Sequence, residues 1–376
     1  MLERIQTIVV KEFKQVFRDP RMQFMIFIGP ILQVLIFGYA VSTDVKNIPT
    51  AIYDLDNSPA SREVIRRFSF SKYFKIKKYI GNDKEERDLI DKGRVSVVLR
   101  FNHGFANDLE GNRGAQIQFI LDGTDSNTAA IALSYAAKII QKYSNSVLQN
   151  RANILLKKEL VYPDVELRER VWFNENLESR NYFIPGVIAM LVTVTSILLS
   201  ALAIVREKEI GTMEQLLVSP IRPIEFILGK LTPFVVISFI DIIFIAAVGV
   251  LWFKIPLRGS MLLLIDSTCI YLLTTLGVGL FISSISSTQQ EAAMSVFLFL
   301  PVMNLLSGFA FPITSMPKLV QYLTYIIPLR YYLEIVRGIF LKGVGINILW
   351  PQILVLLIIG VGVITISSLR FHKRLE

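Results

Sequence analysis

Long runs of apolar residues are the dominant pattern along the chain. A helix needs about 20 mostly apolar residues to cross the hydrocarbon core of a bilayer. Runs of that length occupy residues 22–41, 183–205, 231–253, 261–282, 292–311 and 348–369. The pattern therefore predicts an α-helical integral membrane protein with six transmembrane helices.

The placement of lysine and arginine predicts how these segments are threaded. Cations are concentrated in residues 1–21, 206–230 and 370–376, whereas the loop between the third and fourth runs has few. Loops rich in Lys and Arg stay on the cytoplasmic side, so both termini are predicted to face the cytoplasm of a bacterial cell, with the chain in its cytoplasmic (inner) membrane. The net charge of +9 then reflects this bias and not nucleic-acid binding.

Residues 42–182 have a different character, because charged positions alternate with short apolar segments. Strands are predicted at 48–55, 74–80, 95–101, 116–121 and 165–173, and helices after residue 58 and at 83–92, 105–109 and 128–158. This alternation predicts an inserted extracytoplasmic α/β domain. The turns at 56–59 and 122–125 contain no glycine-rich phosphate cradle, so we expect a binding or docking domain.

The segment 312–347 is irregular. Pro328 divides its apolar part into halves of about ten residues, and neither half can span a bilayer. We expect a re-entrant helical hairpin buried against protein or a pair of interfacial helices, and we favour partial burial at the export face. Arg330, Glu334 and Arg337 have the spacing to pair with one another on one helix.

The segment after the second run has the features of a short, separate helix. Gly211 is expected to break the outgoing helix, and Thr212 followed by Gln215 is a capping-box pattern. The side chains on or beside its apolar face are Met213, Glu214, Leu216 and Leu217. Such a helix has the shape to insert into a groove on a partner, although a turn on the lipid surface explains the pattern equally well.

Two further features concern the membrane itself. In residues 1–21, Ile5, Val9, Phe13 and Val16 recur at helical spacing, which predicts an amphipathic helix along the cytoplasmic interface. Asp241 lies near the middle of the third run, where a carboxylate is costly. It either faces a polar pathway or a subunit interface, or it is protonated and bonded to a neighbouring hydroxyl.

Four stretches together resemble the permease subunits of ABC-2 type exporters, especially the drug and antibiotic efflux branch of the YhhJ and YbhR kind. They are KEFKQVFRDP at 11–20, IPTAIYDLDNSP at 48–59, REKEIGTMEQLLVSP at 206–220, and LSGFAFP at 306–312 continued by IPLRYYLEIVRG at 327–338. These stretches are spread over most of the chain.

The resemblance implies a second permease subunit, either an identical or a sister chain, and a separate ATP-binding cassette subunit that carries ATP and Mg. The ATPase-coupling residues that it implies are Glu207, Glu209, Gly211, Thr212, Met213, Glu214, Leu216 and Leu217. It also implies that the segment with Pro328 and Glu334 is re-entrant. This chain itself is expected to bind no cofactor or metal and to be no enzyme, since it lacks a phosphate-binding loop; its other expected partners are the lipid bilayer and, as an open alternative, a periplasmic adaptor.

The sequence thus predicts a permease that exports a hydrophobic or amphipathic compound by means of ATP hydrolysis on a partner chain. The alternative is a membrane-anchored receptor or secretion-scaffold protein whose α/β domain binds a partner. A secondary transporter would show internal repeats, and we find none in the sequence.

Overall fold

The structure is a computed structural model that describes residues 2–40, 47–111, 114–156, 170, 172–174, 178–211 and 223–373. The chain divides into two compact units. We call Thr43–Glu169 the α/β unit, and Met1–Ser42 with Arg170–Glu376 the helical unit. Each unit has its own hydrophobic core.

The N-terminal part of the helical unit is helical almost throughout. Its elements are α1 (Leu2–Arg18), α2 (Pro20–Gln23), a π-helical turn (Phe24–Ile28) and α3 (Gly29–Ala40). Pro20 is the first residue of α2, a position where the N–H group that proline lacks has no helical partner. The amphipathic helix predicted near the N-terminus is thus present as α1, and Val16 on its apolar side is almost fully buried.

The α/β unit alternates strands and helices. Its strands are β1 (Ile48–Asp54), β2 (Phe74–Tyr79), β3 (Val97–Phe101) and β4 (Ile117–Leu121), and its helices are α4 (Pro59–Phe70), α5 (Asp83–Asp91), α6 (Phe105–Glu110) and α7 (Ser126–Leu156). The sheet order is β2-β1-β3-β4, in which β4 alone among the described strands is antiparallel to its neighbour.

Both faces of this sheet are covered. Ile52 belongs to one core with Phe68 of α4, whereas its neighbour Tyr53 belongs to a second core with Leu89 of α5. Successive side chains on a strand point to opposite faces, so helices lie on both sides. Central strands buried on both faces explain why the sequence at 95–101 is apolar almost without alternation.

Four of the five predicted strands are thereby confirmed. The fifth, at 165–173, lies mostly outside the described residues, and its described end, Trp172 and Phe173, forms a bend and not a strand.

The turn from β1 to α4 is filled by its own side chains. Asp54 Oδ1 accepts hydrogen bonds from the backbone N–H groups of Asp56 and Asn57, at 3.1 and 3.0 Å. The N-terminus of a helix after a strand is where many α/β proteins bind phosphate. A carboxylate within this turn repels an anion, so the turn is unsuited to binding a phosphate.

Asp56 joins this turn to the start of α6. Its carboxylate accepts hydrogen bonds from the backbone N–H groups of Gly104 and Ala106, at 2.9 and 3.1 Å. Gly104 has a φ of +86°, which a residue with a side chain rarely adopts. Hydrogen bonds from the Ser58 hydroxyl and these N–H groups outweigh the effect of burial and hold the pKa of Asp56 below its ordinary value.

We expect Asp56→Asn to loosen α6 at neutral pH, because an amide is a weaker acceptor and carries no charge. A carboxylate whose pKa is lowered by folding stabilises the folded state at pH values above its unfolded pKa of about 3.9. This contribution is lost as the pH falls through the pKa of the folded state. Hydrogen exchange of the amides of α6, compared between the two proteins at equal pH, should differ at pH 7, and the difference should shrink as the pH falls below about 3.9 towards the lowered pKa of Asp56. Equal exchange at pH 7 would contradict this role.

The remaining helices complete the helical unit. They are α8 (Ser179–Ile210), α9 (Pro223–Leu251), α10 (Met261–Ile285), α11 (Gln289–Leu306), α12 (Lys318–Thr324), α13 (Pro328–Arg337) and α14 (Ile346–Lys373), with a 3-10 turn at Ile313–Ser315 and a π-helical turn at Gly338–Lys342. Within the described residues, α8, α9, α10 and α14 are long and apolar enough to cross a membrane, and the helix at 26–39 is apolar but shorter. The total of six spans therefore stays a prediction.

Helix α8 is the centre of the bundle. Most of its apolar stretch is buried, whereas most of the apolar stretch of α14 is exposed. Helix α8 packs against α3, α9, α10, α11 and α13. Contact with α10 is very close, because Ser200 Oγ donates to the Leu276 carbonyl at 2.9 Å and a Cβ on Gly279 would lie only 2.6 Å from the Ile197 carbonyl. Small residues of this kind let membrane helices approach closely.

Helix α11 corrects one predicted boundary. The fifth apolar run was expected to be helical to residue 311, but the helix ends at Leu306. Gly308 adopts a φ of +82° in the turn that follows, so the chain leaves the helix there although the next residues are still apolar.

The two halves around Pro328 form separate short helices, as predicted, but they differ in burial. In α12, Leu319 and Tyr322 are exposed, whereas in α13 Tyr332 is fully buried. Its ring stacks on that of Tyr271 with centroids 4.0 Å apart, and its hydroxyl lies 2.8 Å from Thr268 Oγ1. Thr268 and Tyr271 lie seven and ten residues, or roughly 10 to 15 Å, from the start of α10, so α13 is inserted deeply between longer helices.

The predicted pairing among Arg330, Glu334 and Arg337 is wrong for the described residues. Arg330 donates to Thr324, Glu334 accepts from Gln352, and Arg337 donates to the carbonyl of Gly308. Each side chain has a partner on another element, because α13 is enclosed by neighbours and does not stand alone.

Candidate functional site

Helix α1 is held against the first turns of α9. The close approach depends on Gly229, where a Cβ would lie 2.8 Å from Cβ of Ile8. This contact lies at the end of the bundle where α8 and α10 terminate and α11 begins, at Ile210, Ile285 and Gln289. We call it the basal end.

A buried lysine lies at this junction. Lys230, on α9, is 1% exposed. Its Nζ lies 2.7 Å from a carboxylate oxygen of Glu12 on α1 and 2.8 Å from one of Glu207 on α8. It also donates to the carbonyl of Ala203 at 3.3 Å. One ammonium group therefore joins three helices.

Both carboxylates are almost as buried as the lysine, because Glu12 is 3% exposed and Glu207 is 2% exposed. Lys11 contributes a second cation 3.0 Å from Glu207, so two positive charges balance two negative ones. An ion removed from water costs several kcal/mol unless it is paired, and removal of one partner from a buried pair typically costs about 3–5 kcal/mol. The three helices are consequently hard to separate while all four charges remain.

Weaker ion pairs flank this cluster. Arg4 lies 3.8 Å from the buried carboxylate of Glu225, which links α1 to α9 a second time. Arg206 lies 3.5 Å from Asp19, which links α8 to the turn after α1. Ion pairs with an exposed partner contribute little to stability, so these two are secondary to the buried cluster.

The two residues of α8 that follow Glu207 contact α10 and α11. Lys208 donates to the carbonyls of Ser283 and Ser286, at 2.6 and 3.4 Å, where α10 ends. Cations are favourable at a helix C-terminus, where carbonyl groups lack helical partners. Glu209 accepts a hydrogen bond from Gln289, the first residue of α11.

Residues 207, 208 and 209 thus connect α8 to α1, α9, α10 and α11. The helix ends at Ile210 and is followed by Gly211, which has a φ of +80° and breaks the helix as the sequence predicts. A displacement of the chain beyond Gly211 would be applied to α8 beside the point where the basal contacts meet. We call residues 207–209 with Lys11, Glu12 and Lys230 the basal network.

The predicted coupling residues fall into two groups. Glu209 is exposed and lies with Gly211 at the surface, but Glu207 faces inward and has its carboxylate inside the basal network. The remaining coupling residues, Thr212, Met213, Glu214, Leu216 and Leu217, lie outside the described residues. The structure therefore describes only the beginning of the predicted coupling segment.

The other predicted residues lie elsewhere in the bundle. Asp241 is 4% exposed in α9, and neither its Oδ2 nor Ser238 Oγ one turn earlier has a hydrogen-bond partner in the described residues. Pro328 is the first residue of α13, and Glu334 lies on the exposed side of that helix. None of these three side chains is a member of the basal network.

Sequence reasoning missed Lys230 and Glu12 as partners. Lys230 was assigned to the loop before the third span, but α9 begins at Pro223 and includes it. The sequence offers one signal for each residue: Glu12 is an acidic residue within a predicted amphipathic helix, and Lys230 directly precedes an apolar run. The sequence contains no indication that the two side chains meet.

Four of the described helices are long and apolar enough to cross a membrane, which is consistent with a membrane protein. A sequence model of the family described as "ABC-2 family transporter protein" matches residues 20–369. The chain belongs to this family.

Its relatives include two proteins of Escherichia coli (strain K12) that are described as probable multidrug ABC transporter permeases. YbhR is 33% identical over 359 residues, which cover 96% of this chain and 95% of YbhR. YbhS is 32% identical over 379 residues, with coverage of 99% and 98%. The inner membrane transport permease YhhJ of the same strain is 30% identical, also with 99% and 98% coverage.

We expect Lys230→Met to destabilise the helical unit strongly, because it leaves Glu12 and Glu207 buried without their shared cation. The expected cost is about 3–5 kcal/mol, measured as a lower unfolding temperature of the purified protein. The matched control is Lys254→Met, which removes an exposed lysine in the loop before α10.

A triple variant separates charge from packing. Lys230→Met combined with Glu12→Gln and Glu207→Gln removes the buried charges together and should recover most of the lost stability, since buried ion pairs can be replaced by neutral groups at little cost. If Lys230→Met were as stable as the control, the basal network would not hold the helices together.

Proposed function

We propose that this chain is the permease subunit of an ATP-binding-cassette exporter. In this proposal the basal end faces the cytoplasm, and a separate ATP-binding subunit docks on the segment that follows Gly211. The observation that carries the proposal is the basal network, in which residues 207–209 join the start of this segment to α1, α9, α10 and α11.

The proposed orientation is supported by charge. The basal end contains Arg4, Lys11, Arg18, Arg206 and Lys208, and cations of this density near spans mark the cytoplasmic side. Both termini and the coupling segment then lie inside, and the α/β unit lies outside the cytoplasmic membrane. The first and fifth predicted spans complete the proposed total of six.

The proposed mechanism is mechanical. The partner subunit moves when it binds and hydrolyses ATP with Mg, and the coupling segment follows it. Because α8 ends at Ile210, directly before Gly211, and is fixed by residues 207–209, this movement is transmitted to the basal ends of several helices together. Interiors packed as closely as the contact at Gly279 do not deform gradually, so the helices shift as bodies between discrete arrangements.

The transported compound is proposed to be hydrophobic or amphipathic. Two relatives are described as probable multidrug permeases, and the spans offer apolar surfaces. Asp241 is the candidate polar contact within the spans, because its Oδ2 is buried and unpaired in the described residues. A second permease subunit is proposed to complete the pathway, with α13 as a re-entrant element at the outer side.

A receptor or secretion scaffold is the second candidate, because the α/β unit is folded around its own cores. A passive anchor does not require a segment that transmits ATP-driven movement. The two proposals therefore differ in whether residues after Gly211 affect ATP hydrolysis by a partner.

The decisive variants are Glu214→Ala and Leu217→Ala. We expect each to insert and fold, yet to abolish cargo-stimulated ATP hydrolysis and transport in proteoliposomes that contain both subunits. A short docking helix offers few contacts, and truncation of a central anchor typically costs about 2 kcal/mol or more of binding free energy. The matched control is Lys318→Ala at the start of α12. Coupling equal to wild type in both variants would favour the scaffold.

A further inference from the structure

A groove lies at the basal end, along the side of α1 that carries Lys11, Lys14 and Arg18. It has a volume of about 750 Å³ and is bounded by α1, the first residue of α2 and the end of α8. Its lining residues are Thr7, Val10, Lys11, Lys14, Gln15, Arg18, Asp19, Pro20 and Arg206. The set contains four cations and a single carboxylate, so the groove is strongly positive.

Two of these cations make no ion pair within the described residues. Lys11 is paired with Glu207, and Arg206 lies near Asp19. Lys14 and Arg18, one helical turn apart on α1, are exposed and make no ion pair with another described residue. Positions i and i+4 lie on the same side of a helix, so both side chains can reach one anion.

Apolar surface adjoins this positive groove. Val10 lines it and is 45% exposed, and Phe17, next to Arg18, is 49% exposed. Phe17 stacks on Phe27 of the π-helical turn, with ring centroids 6.2 Å apart, which extends the apolar strip from α1 towards α3. A ligand that fits both features has a phosphate and an acyl chain.

We propose that this groove binds the phosphate of an anionic membrane lipid, with Lys14 and Arg18 as its principal cations and the strip from Val10 to Phe27 against an acyl chain. Basic pockets beside membrane helices on the cytoplasmic side are suited to such headgroups. The proposal goes beyond export, because it makes the position of α1, and through Lys11 and Glu12 the basal network, responsive to the lipid composition of the leaflet.

The test is a binding measurement on the purified full-length chain in detergent by native mass spectrometry. The probes are phosphatidylglycerol, phosphatidylcholine and inorganic phosphate. We expect phosphatidylglycerol to bind at least tenfold more tightly than phosphatidylcholine. Lys14→Gln combined with Arg18→Gln should weaken phosphatidylglycerol binding by about 30-fold, and each single change by about fivefold. Binding of phosphatidylcholine should not change.

Two control variants separate a specific groove from general charge. Lys75→Gln with Lys77→Gln removes two exposed cations of β2 and should leave binding unchanged, and Lys14→Arg with Arg18→Lys should preserve it. Equal losses in the β2 control, no preference for phosphatidylglycerol, or displacement of the lipid by an equal concentration of inorganic phosphate would each overturn the proposal. The single variants decide the matter if the double variant does not fold.

Discussion

The burial of one ammonium group is the constraint on which the basal end of this protein depends. Lys230 is surrounded by protein, and its charge is balanced by Glu12 and Glu207 from two other helices. Because an isolated charge cannot remain in such a place, α1, α8 and α9 must meet there. The amphipathic helix α1 is thereby part of the bundle and more than an anchor on its surface.

Helix α8 connects this local contact to most of the other helices of the helical unit. Consecutive side chains on a helix point in different directions, so Glu207, Lys208 and Glu209 reach separate neighbours. Farther along, the same helix packs on α10 at Gly279, and Thr193 lies within hydrogen-bonding distance of Tyr271, which stacks on Tyr332 of α13. A continuous set of contacts therefore leads from Gly211 to the short inserted helix.

The sequence predicts those features that depend on local pattern. Apolar runs locate the long helices, alternation locates four strands, and Gly211 marks the end of α8, because each signal is contained in neighbouring residues. The basal network depends on contacts between residues up to 218 positions apart, as for Glu12 and Lys230, and no local period encodes them. The inward orientation of Glu207 was missed for the same reason.

The proposed function requires that movement of the chain beyond Gly211 reach the bundle through a rigid connection to residues 207–209. Insertion of two glycines between Ile210 and Gly211 leaves both the basal network and the coupling segment intact but makes their connection flexible. Transport and ATP hydrolysis should be measured together in proteoliposomes with the ATP-binding partner. If the connection must be rigid, the proposed partner still binds and hydrolyses ATP while transport is lost, whereas transport at the wild-type rate would show that no rigid connection is needed.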